Sequence, residues 1–275
     1  MTCTCVVPVT VLFLWTISSL IFIIHIMKIY EYADEISSLL SIPSFKDISL
    51  NGIQIGCSDR EIRKAGFAVD ACYDTISRAV EAGCDILVVH HGLFWGRPLA
   101  IDGAHYDRVK KAIEGDMMLF ACHIPLDASV PYGNNAQIAL TLGMTQFDGF
   151  GEWEGKLIGV KGSLPFPMTL EEIMLLLRCE DPVIIPGCRK ERIETVAIVS
   201  GSGSGDVGDA IKAGVDLFIT GEVHHEVYHE AMEGKLGVLA FGHYRSETYG
   251  VRALERLSAK KYGLETVFID SETGL

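Results

Sequence analysis

The chain has 275 residues, of which 49% are hydrophobic and 21% are charged. This composition is that of a folded protein with room for one large α/β unit or two ordinary domains, and it excludes a disordered or fibrous chain. The net charge is −13, and no run rich in Lys or Arg occurs. A general nucleic-acid binder needs a positive face for phosphates, so nucleic acid is disfavoured as a partner, although a local basic lining stays open.

Eight cysteines are present, but they do not form a disulfide pattern. Cys3 and Cys5 lie near the N-terminus, and the other six are scattered with no C-x-x-C pair. A chain of this size does not need disulfides to hold its core. We therefore expect free thiols in a reducing compartment, the cytoplasm.

Residues 1–26 form an apolar leader without a charged side chain. Residues 6–24 are long enough to span a bilayer as a helix. The leader lacks the positive N-terminal region and the cleavage site of a secretory signal, and its flanking charges give no clear orientation. It is therefore either a membrane anchor or the product of a start codon placed too far upstream, with Met27 as the true first residue. We favour the second interpretation.

The first recognisable unit follows Met27. Residues 64–70 read as a buried strand, residues 73–82 as a helix closed by Gly83, and residues 84–89 as a strand that is apolar on both faces. Apolar strands that alternate with short helices are typical of a parallel sheet covered on both sides.

A second unit has the same order. Residues 195–199 read as a strand, a glycine-rich loop follows, and residues 207–213 read as a helix closed by Gly214. The strand over residues 215–220 comes next and ends in Gly221 and Glu222.

The two units share the frame Ala-x-x-Ala-Gly-x-Asp, at residues 79–85 and 210–216. Downstream, each unit carries a histidine followed four residues later by a carboxylate: His123 with Asp127, and His243 with Glu247. An internal repeat of this kind predicts two related α/β halves that face one another.

We place these halves at residues 27–145 and 195–275. A connector over residues 146–194 joins them, with its own strand (156–160) and helix (169–178).

Polar side chains gather where the predicted strands end. Ligands in open α/β sheets bind beyond the carboxyl ends of the strands. The residues at these ends are His90, His91, His123, Asp127, Glu222, His224, His225, His243 and Glu247. A single histidine there is more often a structural hydrogen-bond partner. Two matching sets of imidazoles and carboxylates instead favour a dinuclear metal site between the halves, suited to Zn, Mn or Fe(II).

These residues lie in motifs that resemble a known family, the GTP cyclohydrolase 1 type 2 homologues, also called NIF-three-like dinuclear-metal proteins. The matching pieces are Leu50-Asn-Gly-Ile-Gln-Ile-Gly56, Val88-Val-His-His-Gly-Leu-Phe-Trp95, His123-Ile-Pro-Leu-Asp127, Gly133-Asn-Asn135, Ser200-Gly-Ser-Gly-Ser-Gly205, Thr220-Gly-Glu-Val-His-His225 and Gly242-His-Tyr-Arg-Ser-Glu247. The chain departs from the family pattern at Leu50, where an Asp is usual, and at Tyr244, where a second His is frequent.

The resemblance implies two divalent metal ions per chain, a toroidal homohexamer, and His123 and Glu222 as catalytic groups beside the metals. The ligands it implies are His90, His91, Asp127, His243 and Glu247, with Glu247 bridging both ions. The implied activity is a hydrolase that acts at C8 of a purine nucleotide, or on a related phosphate-bearing substrate, with His123 or Glu222 moving protons. The alternative is a metal-stabilised hexameric scaffold or partner-binding protein without catalysis.

Two short motifs offer other interpretations. His225-Glu-Val-Tyr-His229 matches the H-E-x-x-H signature of zinc metallopeptidases, but its helix is broken by Gly234 and the other histidines stay unexplained. Gly203-x-Gly-x-x-Gly208 resembles a dinucleotide-binding loop, but the helix that follows is short for that fold. A milder interpretation keeps Gly201, Gly203 and Gly205 as a loop that holds a phosphate, and the alternative is a tight turn.

Overall fold

The structure, a computed structural model, describes residues 27–275. The predicted leader, with its two interpretations, lies outside the described residues. Within residues 27–275, no helix combines the length and the hydropathy that a membrane span requires.

The described residues form nine α-helices and eleven β-strands. The helices are α1 (Ile29–Leu39), α2 (Tyr73–Glu81), α3 (Gly103–Glu114), α4 (Ile124–Asp127), α5 (Asn134–Thr141), α6 (Leu170–Leu177), α7 (Val207–Ala213), α8 (Val227–Glu233) and α9 (His243–Tyr262). The strands are β1 (Gly52–Ile55), β2 (Lys64–Asp70), β3 (Ile86–His91), β4 (Met118–Ala121), β5 (Asp148–Trp153), β6 (Lys156–Met168), β7 (Val183–Pro186), β8 (Ile193–Ser202), β9 (Leu217–Glu222), β10 (Gly237–Ala240) and β11 (Glu265–Phe268).

The strands form two sheets, which confirms the predicted α/β class with two similar halves. The first sheet has the order β1-β4-β3-β2-β11, and the second has the order β5-β6-β8-β9-β10-β7. At the centre of each sheet three consecutive strands run parallel: β2, β3 and β4 in the first, and β8, β9 and β10 in the second. These central strands are buried on both faces, as their continuous apolar sequences predict.

The segment predicted as a connector, residues 146–194, contributes to the second sheet. It supplies β5, which pairs antiparallel with β6, β6, which also pairs antiparallel with β8, and β7, which pairs antiparallel with β10. The predicted strand at 156–160 is the first part of a longer β6, and the predicted helix at 169–178 is α6.

The C-terminal elements join the two halves. Helix α9 belongs to the second half by sequence, but it contacts strands of both sheets, and β11 then pairs in parallel with β2 of the first sheet. On α9, Val251 and Leu254 are fully buried in the core between α1 and the first sheet. The C-terminal strand therefore completes the sheet that the N-terminal half begins.

The repeated Ala-Gly-x-Asp frame has a structural role in both halves. Gly83 and Gly214 close α2 and α7 with positive φ angles of 72° and 69°, which favour glycine. One carboxylate oxygen of Asp85 accepts hydrogen bonds from the backbone N–H groups at the start of β2, at 2.8 and 2.9 Å. Asp216 does the same at the start of β8, at 3.0 and 3.1 Å. The repeated aspartates thus fasten neighbouring strands together.

Candidate metal centre

The first half supplies its polar side chains from the carboxyl ends of β3 and β4. His90 and His91 are the last two residues of β3, and His90 is fully buried. His123 follows β4 and is the N-cap of α4, a single turn that ends at Asp127. Since β3 and β4 are parallel neighbours, these three histidines and Asp127 meet at one edge of the sheet.

The second half supplies its side chains from the start of α9. His243 and Glu247 are four residues apart on this helix, so both point from one face. Gly201 makes room for them at the end of β8, with a φ of +65°. A Cβ atom at this position would collide with Glu247 Oε1 and lie 3.3 Å from His243 Nε2. Only glycine therefore lets β8 pass so close to the two side chains.

Three imidazoles converge on the carboxylate of Glu247. Its Oε1 lies 3.1 Å from His243 Nε2 and 3.4 Å from His90 Nε2, and its Oε2 lies 3.3 Å from His91 Nε2. His90 Nε2 also lies 3.6 Å from Asp127 Oδ2. The five side chains thus form one cluster between the two sheets.

Each imidazole of the site is oriented by an acceptor on its Nδ1 atom. The acceptors are Cys122 O for His90 at 3.0 Å, Asp70 Oδ1 for His91 at 2.8 Å, both oxygens of Asp47 for His123 at 3.1 Å, and Glu222 Oε1 for His243 at 3.2 Å. Because carbonyl and carboxylate oxygens only accept, each Nδ1 carries a proton, and Nε2 is the atom that each imidazole would turn to a metal ion. Metal-binding histidines in proteins have this arrangement.

Asp127 is held by both halves. Its Oδ1 accepts hydrogen bonds from Asn134 Nδ2 and from Ser200 Oγ, each at 2.8 Å. This leaves Oδ2 on the side of His90. Ser200 belongs to β8, so the contact also ties the first-half carboxylate to the second sheet.

The electrostatics of the cluster fit a bound cation. His90 Nε2 and Glu247 Oε2 are buried and have no hydrogen-bond partner. Burial lowers the pKa of His90, but Asp127 and Glu247 outweigh it and raise the pKa to about 10. Burial likewise raises the pKa of Glu247, and the neighbouring histidines outweigh it and hold that pKa far below its ordinary value. A divalent ion would replace the proton that these carboxylates draw onto the imidazoles.

Two groups among residues 27–275 have ligand atoms close enough to hold a metal ion: His90 with His91 and His123, and His91 with His243 and Glu247. They share His91, so they are neighbours. The residues thus fit a metal centre of imidazole and carboxylate ligands, with no thiolate needed.

The other predicted site residues lie around this cluster. Glu222 is half-exposed and contacts His243. Gly203 packs against Thr220, and Gly205 lies in the turn that precedes α7. His225 and His229 of the H-E-x-x-H match are both exposed, and His225 precedes α8, so one helix does not present the pair. The described residues therefore bring no metallopeptidase site together there.

Sequence reasoning missed two carboxylates that support the histidines. Asp47 has a side chain that is 1% exposed, and it also accepts hydrogen bonds from Asn51 Nδ2 and Ile124 N. Burial raises its pKa, but His123 and Asn51 outweigh this and lower it to about 2. Asp70 ends β2 next to His91. Asp70 was detectable as a polar residue at a strand end, whereas Asp47 lies in an irregular segment with no periodic signal.

A cavity of about 800 Å³ adjoins the cluster. The residues that line it include Glu247, His91, His123 and His243 of the site and the aromatic residues Trp95 and Trp153. The ring of Trp95 packs edge-on against His123, with centroids 5.1 Å apart. A small molecule in this space would reach the cluster directly.

Comparison with known proteins gives the class to which this fold and site belong. Residues 27–274 match the sequence profile of the family described as Duf34/NIF3 (NGG1p interacting factor 3). The chain is 42% identical over 238 residues to a "GTP cyclohydrolase 1 type 2 homolog" of Deinococcus radiodurans, with 86% of this chain and 90% of that protein covered. It is 40% identical over 254 residues to the protein of that name from Halobacterium salinarum, with 90% of this chain and all of that protein covered.

A solved structure supports the same assignment. The crystal structure of TTHA1606 from Thermus thermophilus has a TM-score of 0.81 and 40% identity, and the match covers 90% of this chain and all of that chain. The chain belongs to the Duf34/NIF3 family. This confirms the family resemblance seen in the motifs.

Proposed function

We propose that the protein is a hydrolase that depends on two divalent metal ions. The ions would be held by His90, His91, Asp127, His243 and Glu247, with Glu247 shared between them. The observation that carries the proposal is the convergence of three Nε2 atoms on Glu247, with a buried Nε2 of His90 and a buried Oε2 of Glu247 that lack hydrogen-bond partners. Zn, Mn and Fe(II) all suit such ligands.

Two divalent ions at this place would supply Lewis-acid polarisation of a substrate and neutralise negative charge that develops on it. The protein itself contributes a site that is largely shielded from water. His90 is fully buried and Glu247 is 3% exposed. Electrostatic interactions are stronger in such a setting than in water.

Among residues 27–275, His123 is the group that we propose to hold and move a proton. Asp47 fixes its Nδ1–H, so its Nε2 is free to accept a proton at the cavity. Glu222 is the second proposed proton carrier, and it reaches the site through His243. A buried carboxylate that orients an imidazole is a frequent arrangement in general acid–base catalysis.

The substrate we propose is a purine nucleotide or a related phosphate-bearing compound, hydrolysed at C8 as in a GTP cyclohydrolase 1 type 2 reaction. The names of the relatives support this choice, and Trp95 and Trp153 give the cavity flat faces suited to a ring. The test is incubation of purified protein, loaded in turn with Zn, Mn or Fe(II), with GTP and with other purine nucleotides. Ring-opened product and formate are expected, and their absence with every metal would contradict the substrate.

We also propose that the chain assembles with copies of itself, as a toroidal hexamer. Strand β1 is an edge of the first sheet, and apolar side chains are exposed on it and just before it: Ile53 on the strand by 36%, and Ile48 and Leu50 in the preceding segment by 59% and 52%. Such a surface favours association. Light scattering should give six chains per particle. If chelation dissociates this particle and no nucleotide is hydrolysed, the metal-stabilised scaffold becomes the better description.

The compartment we propose is the cytoplasm. The six cysteines of the described residues are free thiols, and Cys84 and Cys122 are buried. Free thiols persist in a reducing compartment.

A further inference from the structure

The motif Gly133-Asn134-Asn135 lies beside the candidate metal centre, and both of its asparagines are fully buried. The motif follows the short loop after α4 and begins α5. A Cβ atom on Gly133 would collide with the carbonyl oxygen of Leu126 on α4. Glycine therefore lets the chain fold back against α4, and this brings the two asparagines next to the proposed ligand Asp127.

Asn134 joins this carboxylate of the first half to the helix that carries Glu247. Its Nδ2 donates to Asp127 Oδ1 at 2.8 Å, and its Oδ1 accepts a hydrogen bond from Gly250 N of α9 at 2.6 Å. A backbone N–H only donates and an ionised carboxylate only accepts, so the amide group has one orientation that satisfies both. Gly250 lies within one turn of Glu247. Asn134 thus fixes the position of Asp127 relative to the start of α9.

Gly250 is the residue of α9 that permits this contact. An added Cβ atom would lie 2.7 Å from Asn134 Oδ1 and 2.9 Å from Leu126 Cγ. Glycine is unfavourable in the middle of a helix, so a glycine at a buried position inside the 20-residue α9 indicates a requirement of packing. Here the absence of a side chain lets the amide of Asn134 reach the backbone of the helix.

Two donors hold the same oxygen of Asp127. Ser200 Oγ of β8 donates to Oδ1 at 2.8 Å, as Asn134 Nδ2 does. The other oxygen, Oδ2, lies 3.6 Å from His90 Nε2. Because a carboxylate oxygen that accepts two hydrogen bonds has used both of its lone pairs, Asp127 presents one oxygen to the cluster.

Asn135 holds the backbone around these contacts. Its Oδ1 accepts a hydrogen bond from Ser200 N at 2.7 Å, and its Nδ2 donates to Ile158 O of β6 at 2.8 Å. These hydrogen bonds tie α5 to two strands of the second sheet. Asn135 therefore keeps Ser200 in place, whereas Asn134 acts on the carboxylate itself.

We infer that Asn134 is a positioning residue of the metal centre, which acts through Asp127. Together with Ser200 it holds Asp127 so that Oδ2 alone faces the cluster, and its bond to Gly250 keeps this oxygen at a fixed place relative to Glu247. The inference rests on the proposed function, because it requires metal ions that are held by Asp127 and Glu247. Loss of a residue that orients a metal ligand typically weakens metal binding about 10- to 100-fold.

The test measures the affinity of the full-length protein for Zn by competition with a chelator. N134L replaces the amide group by an apolar side chain of similar shape, and it should weaken Zn binding about 10- to 100-fold. S200A removes the other donor to Asp127 and keeps Asn134, so it should weaken Zn binding several-fold. S200A decides the test if N134L does not fold.

Y32F is the matched control, because Tyr32 also holds α9 through a buried hydrogen bond. Its hydroxyl lies 2.7 Å from Ser258 Oγ, and both residues are fully buried. Ser258 lies about three turns beyond Glu247 on α9. Y32F should therefore lower the urea concentration at which the metal-free protein unfolds, as N134L does, but it should leave the Zn affinity unchanged.

The visible absorption of the Co(II)-loaded protein gives a second readout, which a purely structural role would not change. This absorption depends on the number and arrangement of the metal ligands. It should differ from that of the natural protein in N134L and in S200A, because Asp127 is free to turn its second oxygen to the ion. It should be unchanged in Y32F.

Natural Zn affinity and natural Co(II) absorption in folded N134L, or in S200A where N134L does not fold, would overturn the inference. An equal loss of Zn affinity in Y32F would overturn it too, because weakening any contact of α9 would then suffice. A natural protein that takes up no metal would count against the proposed function as well. A metal-loaded natural protein whose variants are unaffected would count against this inference alone.

Discussion

Equivalent positions in the two halves of the molecule contribute different things. Asp85 and Asp216 fasten neighbouring strands in the same way in both. At another pair of equivalent positions the chemistry diverges: Asp70 ends β2 and orients His91, whereas its counterpart Gly201 is the last residue but one of β8 and carries no side chain. The repeat therefore preserves the frame and changes the residues at the strand ends.

This difference between the strand ends shows why both halves are needed to form the cluster around Glu247. The first half places His90 and His91 directly on a strand, and the second half clears its strand ends with glycine and brings a long helix against them. A Cβ at Gly221 would lie 2.6 Å from Gly201 O and 2.8 Å from His243 Cα, so this second glycine also permits the close approach of α9. Neither half alone holds the complete cluster.

The largest loss of metal affinity is expected from a substitution at the contact between the two halves. G201A would push Glu247 and His243 out of the cluster and force a positive φ on alanine. Metal affinity should fall by about 100-fold or more, measured by elemental analysis after dialysis. G214A is the control, because Gly214 has a similar φ of +69° but open space around it. It should lower the free energy of unfolding by about 1 kcal/mol and leave the metal bound. Normal metal content in G201A would contradict this account.

The carboxylates of the two halves can be compared directly. E247Q removes the charge on which three imidazoles converge, so both ions should be lost. D127N removes a charge that lies near His90 alone, and one ion of the two should remain. Elemental analysis distinguishes these outcomes, with E152Q in the same cavity as the control. A greater loss in D127N than in E247Q would reverse the assigned roles.

The carboxylates that orient His123 and His243 differ in burial. Asp47 is 1% exposed and Glu222 is 43% exposed, so the contact of Asp47 with His123 should contribute more to kcat than the contact of Glu222 with His243. D47N should lower kcat about 10- to 100-fold with metal content unchanged, and E222Q should lower it only about two- to threefold. Nitrogen NMR of His123 should show a changed tautomer in D47N but not in E222Q. Equal losses of kcat in D47N and E222Q would contradict a larger contribution from the buried carboxylate.

The smallest expected effect is on the free energy of unfolding and its dependence on pH. The pKa of Asp206 is raised from 3.8 to about 6, so the stability that its protonated form contributes is present below about pH 4 and is lost as pH rises to about 6. D206N should remove this loss. It should raise the free energy of unfolding by about 1 kcal/mol at pH 7, a value reduced for partial exposure, and should change nothing at pH 4. Urea unfolding at both pH values, with E233Q as control, tests this; equal effects at both pH values would contradict it.

Those parts of the fold that depend on local sequence patterns could be predicted from the sequence. The apolar runs predict the central strands, and the glycines that close α2 and α7 predict the ends of those helices, which the structure confirms. The pairing of β11 with β2 could not be predicted, because a short, half-exposed strand carries no signal for its partner across the chain. The three strands between residues 146 and 194 likewise find their sheet only through tertiary pairing.

The site residues could be predicted where the internal repeat places matching polar residues in the two halves. Strand-end histidines and the His-x-x-x-carboxylate pairs pointed to one cluster, and the structure places these side chains together. The raised pKa of Asp206 and the support from Asp47 depend on distances between segments that are far apart in the chain. No local pattern reports such distances.

The two halves together are proposed to hold two metal ions around Glu247. Elemental analysis of the full-length protein, before and after chelation and reloading, measures this number. We expect about two ions per chain in the natural protein and almost none in E247Q. A natural protein that stays folded and takes up no metal, or an E247Q variant that keeps both ions, would contradict it.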